Sequence, residues 1–214
     1  MGLHLELLQD PTGQLTIEEV ASPAYADQFI PSQAEIPNFG YTSGAVWVRF
    51  QVRNQAGPAV TWRLAVEETQ LGYVDLYTPM LDGIGFAQQQ AGRFRPFTVQ
   101  DVPYHYGVFN LSLPPGQVQT IYLRLQSASP VRLPLTLWSL EAFSSHAQTE
   151  LVIVGMFLGI MLVMAGYNLF LFAALRDRGY LYLAMFIASF SLVSAFDQGL
   201  ASNISSRRGL TCMG

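Results

Sequence analysis

The sequence predicts an all-β, jelly-roll-like sandwich head followed by an α-helical transmembrane hairpin. Three observations predict it. Residues 151–175 form an uncharged apolar run of 25 residues, beyond the roughly 20 that cross a bilayer core. A second apolar run, Tyr180 to Phe196, follows after only Arg176-Asp177-Arg178-Gly179. Before residue 150, short runs of alternating polarity recur between Gly, Pro, Asn and Asp, the pattern of a half-buried sheet.

In chain order, Leu3 to Leu8 and Leu15 to Glu18 are read as strands around a turn at Asp10-Pro11-Thr12-Gly13. Ala45 to Asn54 is the clearest strand. Val46, Val48, Phe50 and Val52 fall on one face, and Trp47, Arg49, Gln51 and Arg53 on the other, because strand side chains alternate across the sheet. Val60 to Val66 follows, with Val60, Trp62, Leu64 and Val66 inward. In Gly72 to Thr78, Val74 and Leu76 oppose Tyr73, Asp75 and Tyr77. Tyr106 to Leu113 and Thr120 to Gln126 are joined through Pro114-Pro115-Gly116, a strong turn signal. Val131 to Trp138 is the last strand, for about eight in all, a number that suits a jelly-roll or related sandwich. The head is bounded at 1–143, with a polar linker at 144–150, a first span at 151–175, a turn at 176–179 and a second span at 180–200.

Charge divides the chain in the same place. Residues 1–150 carry seven Arg against thirteen Asp and Glu, a net of −6; residues 151–214 carry four Arg against two Asp, a net of +2. All eleven basic residues are Arg. The head has no basic cluster or phosphate-cradling loop, so nucleic acid is not an expected partner. Arg176 and Arg178 at the hairpin tip place the tip in the cytoplasm and the head outside, the periplasm of a Gram-negative cell whose inner membrane holds the helices. Tyr167, Tyr180 and Tyr182 near that end suit an interfacial belt. Gly155, Gly159 and Gly166 are read as a loose helix-packing motif, and Asn168 is expected to hydrogen-bond across helices. Asp197 is expected at the outer interface. The start MGLHLELLQDPTG has no basic or sustained apolar leader; either residues 151–175 drive insertion or, the favoured expectation, the natural N-terminus lies upstream of Met1. Residues 201–214, with Arg207 and Arg208 on the side where the charge rule puts few cations, are read as a truncated or frame-shifted tail.

Catalytic, metal and cofactor readings find no support. Glu67 and Glu68 are adjacent, so a strand would point them to opposite faces, whereas glycosidase carboxylates flank one bond at about 5–10 Å. His4, His105 and His146 lack metal-ligand spacing, Cys212 is alone, and no Gly-x-Ser-x-Gly elbow occurs. The non-core face of the strands instead collects Trp47, Arg49, Gln51, Arg53, Tyr73, Asp75, Tyr77, Tyr122, Arg124 and Gln126. Aromatic rings that stack on a pyranose, beside amide, carboxylate and guanidinium groups for its hydroxyls, make a saccharide site. The same residues also describe an ordinary solvated sheet face. Trp47 is the first candidate; Tyr104-His105-Tyr106 with Arg93 and Arg95 is a secondary one.

The segments LLQDPTGQLTIEEV (7–20), AVWVRFQVRN (45–54), YVDLYTP (73–79), VFNLSLPPGQVQTIYLRLQS (108–127) and LPLTLWSLEAF (133–143) together resemble the type 2 extracellular domain of bacterial seven-transmembrane receptors with diverse intracellular signalling modules. GIMLVMAGYNLFLFAALRDRGYLYLAMFIASF (159–190) resembles the first two spans of that family's membrane domain. The resemblance extends to about Asn203. It implies a carbohydrate-binding-like jelly-roll outside, seven helices, and a cytoplasmic output module such as a histidine kinase or diguanylate cyclase. This sequence holds two spans and no output module. Two function classes stay open: a receptor head that binds a small ligand, foremost a glycan, or a module that docks another receptor or envelope protein, including homo- or hetero-oligomers. The lipid bilayer is a partner in both.

Overall fold

The computed structural model describes residues 1–54, 60–80 and 84–197. The chain divides into two units after Leu140.

The first unit is an antiparallel β-sandwich. Its strands are β1 (Glu6–Asp10), β2 (Ile30–Pro31), β3 (Asn38–Gly40), β4 (Ala45–Arg53), β5 (Val60–Val66), β6 (Tyr73–Pro79), β7 (Phe86–Ala91), β8 (Gly107–Leu113), β9 (Val118–Gln126), β10 (Val131–Arg132) and β11 (Leu135–Ser139). One sheet runs β2-β1-β4-β9-β6-β7, a second runs β11-β5-β8, and β10 pairs with β3. The main core lies between the two larger sheets. Val46, Val48, Phe50, Val74, Leu76, Ile121, Leu123 and Leu125 come from the first; Leu64, Val66, Phe109, Leu111 and Leu113 come from the second. A polar clasp joins the sheets: the Gln89 side chain accepts from the Asn110 N–H (3.1 Å) and donates to the Asn110 carbonyl (2.8 Å).

The inward set on β4 is as the alternation predicts. Trp62 is only partly buried, packed against the core with Leu137; the Val60 side chain lies outside the described residues.

Three expectations about the strands of the head change, and one strand is added. Residues 15–18 do not make a strand. Thr16 caps a short helix, α1 (Ile17–Val20), through a reciprocal capping box with Glu19, and α2 (Pro23–Ala26) follows with Pro in its first turn. Thr-x-x-Glu satisfies two orphan backbone donors at once, which outweighs the weak strand alternation. The first strand begins at Glu6, because residues 2–4 form a 3-10 turn. The segment 131–138 is split. Val131–Arg132 pairs with β3, whereas Leu135–Ser139 pairs with β5; Pro134, which has no N–H to give a ladder, lies between. Finally β7, a Gln-rich strand, lies beside β6.

The second unit is a helical hairpin. The 36-residue helix α3 (Leu140–Leu175) is followed by α4 (Arg178–Asp197). At 1.5 Å per residue α3 is about 54 Å long, well beyond a bilayer core of about 30 Å. The polar stretch 144–150 is thus not a linker; it forms the first turns of α3, since Ala, Glu, Gln and Ser tolerate helix and no Gly or Pro interrupts them. Helix α3 ends at Arg176, which takes the left-handed conformation (φ 55°), and the Asp177 carboxylate caps the Gly179 N–H at 2.9 Å. Asn168 is buried but donates to the Met164 carbonyl of its own helix, 2.8 Å away, rather than across the hairpin. A Cβ added at Gly155, Gly159 or Gly166 meets nothing within 4 Å, so these glycines do not mark a close helix contact in this hairpin. Most other apolar side chains of both helices are exposed, as a surface in contact with lipid or further helices requires. Asp197 ends α4; residues 198–214 lie outside the described residues.

Candidate functional site

The pairing of β4, β9 and β6 assembles the face read from the sequence. Trp47 stands opposite Arg124, and Arg124 opposite Asp75; Arg49 stands opposite Tyr122, and Tyr122 opposite Tyr77; Tyr73 pairs with Gln126, and Gln51 with Thr120. In a ladder, opposed residues point to one face, so Trp47, Arg49, Gln51, Tyr73, Asp75, Tyr77, Tyr122 and Arg124 share a side. Their common side is not, however, an open face.

Residues 14–30 fold across most of it. Ile17 and Val20, one helical turn apart on α1, pack with Phe29, Leu8, Trp47 and Tyr122 into a second core. Trp47 has no exposed surface and Tyr122 retains 7%. The Trp47 indole stacks on Tyr77 with centroids 5.6 Å apart, and Tyr122 meets Phe29 and Phe86 edge-on. Trp47 is therefore a core residue, which corrects its reading as an exposed stacking platform. Alternation tells which side of a sheet a residue takes and says nothing of what covers that side. Two arginines read as ligand groups are straps for this cover. Arg49 pairs with Glu6 at 2.6 Å, donates to the Ala26 carbonyl at 3.3 Å and lies over the Phe29 ring. Arg124 donates to the Gly13 carbonyl at 2.8 Å. The segment is anchored by Asp10, whose carboxylate accepts from the N–H groups of Thr12, Gly13 and Leu15 and from the Thr12 hydroxyl. Burial raises the Asp10 pKa, but the four donors lower it more, so it sits below its ordinary 3.8.

One corner stays open, at the start of β6. Tyr73 is 38% exposed and Phe94 59%; their rings lie 5.7 Å apart, tilted by 55°. Two glycines bring Phe94 there. Gly92 has φ +119°, and a Cβ on it would come within 2.5 Å of the Gly72 carbonyl; a Cβ on Gly72 would meet the Phe94 ring at 3.0 Å. Without those Cβ atoms the loop closes on β6, with Arg93 N–H on the Leu71 carbonyl and Phe94 N–H on the Gly72 carbonyl. The next residue, Arg95, then donates to Asp75 at 3.0 Å and lays its guanidinium over Tyr73 at 5.2 Å. Arg124 approaches the other Asp75 oxygen at 3.9 Å. Asp75 is 3% exposed. Burial pushes its carboxyl above its ordinary value, against the pull of Arg95, Arg124 and Gln88. Burial, and next the Asp75 charge, also raise the Tyr77 phenol, which accepts from the Gln88 amide at 3.1 Å. Gln90 of β7 stands opposite Asp75.

Of the secondary candidates, Arg93 bonds Gln70 and Arg95 joins the Asp75 cluster. Tyr104, His105 and Tyr106 pack their rings on one another at 4.4–4.6 Å, with Tyr106 buried. Phe94, Gln88 and Gln90 were not singled out from the sequence. The signal available for them was the Arg-Phe-Arg run directly after a glutamine strand.

Fold and site together define a membrane-anchored sandwich whose six-stranded sheet offers a small aromatic and charged corner. The family comparison is specific: residues 2–139 match the "7TMR-DISM extracellular 2" domain and residues 150–206 match the "7TM diverse intracellular signalling" domain. The chain belongs to this family of seven-transmembrane receptors with diverse intracellular signalling, and its head is the extracellular sensor domain. No curated protein matches the chain. Among solved structures, it is similar to a carbohydrate-binding module of the beta-sandwich superfamily, at 12% identity and a TM-score of 0.24, over 49% of this chain and half of that one. It is also similar to peruvianin-I, a cysteine peptidase from Thevetia peruviana latex, at 16% identity and a TM-score of 0.16, over 59% of this chain and 91% of that one. Likenesses this slight carry no argument about function.

Proposed function

We propose that the head is a saccharide sensor, with its ligand seated on Tyr73 and Phe94 beside Arg95, Asp75 and the β7 glutamines. The observation that carries this reading is the pair of exposed aromatic rings held next to a polar cluster. Trp47 and Tyr122 on the same sheet face are buried and Tyr77 and Phe86 partly so, whereas these two are left open, with Gly72 and Gly92 placing one of them. A ring takes the apolar face of a sugar, and guanidinium and amide groups take its hydroxyls. The head lies in the periplasm, α3 and α4 lie in a bacterial inner membrane, and Arg176 and Arg178 face the cytoplasm. A bound ligand acts on an output module beyond the membrane helices; β11 ends at Ser139 and α3 begins at Leu140, so no spacer separates sensor strand from helix.

Binding of the whole chain, in nanodiscs, to a glycan array tests the reading. Tyr73→Ala and Phe94→Ala should each weaken the strongest glycan signal about tenfold, the equivalent of about 1.4 kcal/mol, with little change in melting. Glycan binding that survives both substitutions would move the site elsewhere. Binding to another receptor head and to no glycan would favour a protein-docking module.

A further inference from the structure

We infer that the saccharide taken by this corner is acidic, carrying a carboxylate as a uronic acid does; the inference rests on the saccharide reading and adds the ligand's charge. The head as a whole is acidic, with a net of −6 over residues 1–150. Yet two of its arginines, Arg95 from the loop after β7 and Arg124 of β9, gather around one acid of β6, Asp75, while Arg93, two residues before Arg95, is tied to Gln70. Asp75 balances one of those charges.

The three arginines are not equivalent. Arg124 is 16% exposed and holds both the Gly13 carbonyl and the Asp75 side. Arg93 is exposed and tied to Gln70. Arg95 is 27% exposed and is fixed from two directions, by Asp75 behind it and by the Tyr73 ring beneath it. A guanidinium has five N–H donors. Among the described residues only those of Nη2 on Arg95 find an acceptor, and Nε is buried without one. The outer Nη1 therefore remains as a donor on a guanidinium whose orientation is already set. A guanidinium N–H of set orientation donates a charge-assisted bond to a carboxylate oxygen, and such bonds are roughly twice as strong as neutral ones. Asp75 serves Arg95 and Arg124 together, so a neutral sugar on Tyr73 and Phe94 would leave one positive charge of this partly desolvated pair unbalanced; a carboxylate on the sugar ring supplies the second negative charge. Asp75 is then a positioning residue and Arg95 the group that reads the ligand.

The test uses the whole chain in phosphatidylcholine nanodiscs on an array of uronate-bearing glycans, the same glycans with carboxyl groups reduced to alcohols, sulfated glycans without carboxylates, and neutral glycans. The expected result is signal from the uronate glycans, at least tenfold lower after carboxyl reduction and in Arg95→Gln. The carboxyl-reduced glycans need no variant, so the comparison stands even if Arg95→Gln folds poorly. Equal signal from uronate and reduced glycans would overturn the inference and leave the saccharide reading intact. Equal signal from sulfated glycans would overturn recognition of the carboxylate. Signal from no glycan would overturn both readings.

Discussion

Replacing Trp47 by Ala should unfold the cover of the six-stranded sheet, and its cost follows from where the indole sits. Trp47 has no exposed surface, stacks on Tyr77, and joins Leu8, Ile17, Val20, Phe29 and Tyr122 in the second core. A buried Trp removes about 200 Å² from water, worth about 5 kcal/mol at 25 cal/mol per Å². Its Nε1 has no hydrogen-bond partner among the described residues, so about 1–2 kcal/mol of desolvation cost is recovered on truncation. The net loss is about 3–4 kcal/mol, in line with large-to-small core substitutions, and for a sandwich of this size it lowers Tm by about 10–20 °C. Trp47→Phe keeps most of the packing and sheds the unpaired N–H, so it should cost well under half as much. Thermal melts followed by near-ultraviolet circular dichroism measure both. If Trp47→Ala melts within about 2 °C of the parent, less than 1 kcal/mol is at stake, and residues 14–30 do not cover the sheet in solution.

Asp10→Ala should cost about 2–3 kcal/mol by denaturant unfolding, since the N–H groups of Thr12, Gly13 and Leu15 lose their shared acceptor; an unchanged midpoint would mean that water replaces it fully. Because the folded Asp10 carboxyl lies below its ordinary 3.8, its stabilisation is complete above that pH and is lost as pH falls through the depressed folded value; the parent should show this acid-side loss and Asp10→Asn should not. Gly92→Ala, strained at φ +119° and driven against Gly72, should weaken glycan binding more than it lowers Tm, and equal binding would show that the loop tolerates displacement. A Cys at Gly179 should resist membrane-impermeant thiol reagents in intact cells while a Cys at exposed Tyr41 reacts; the reverse pattern contradicts the topology. Residues 1–140 alone should melt cooperatively with a β-rich spectrum, and a disordered spectrum would mean that the sandwich depends on its helices.

The long strands were legible because both periodicity and turn chemistry mark them: Val46, Val48, Phe50 and Val52 face inward from β4, and Pro114-Pro115-Gly116 joins β8 to β9. Strand β7 was not, since its alternation is written in glutamine and alanine with no apolar contrast. Helix α1 was legible in principle through Thr16 and Glu19, but four residues of helix compete with a strand-like Leu15-Thr16-Ile17. The split at Pro134 depends on which sheet each half joins, a long-range choice that a local pattern does not encode. At the open corner, Tyr73 and Asp75 follow from the alternation of β6, whereas the sequence groups Arg95 with Tyr104-His105-Tyr106 and only the fold brings it to Asp75. Phe94 lies in an aperiodic loop and depends on Gly72 and Gly92, which are far apart in sequence and meet only in the fold. Covering of Trp47 by residues 14–30 is likewise a tertiary event.

The most direct test of a saccharide seat at Tyr73 and Phe94 is hydrogen-exchange mass spectrometry of the whole chain with its strongest glycan from the array. Slowed exchange should be confined to residues 71–76 and 88–95, with β4 and residues 14–30 unchanged. Protection centred on Tyr104–Tyr106 or on residues 14–30, with none at 88–95, would contradict the account.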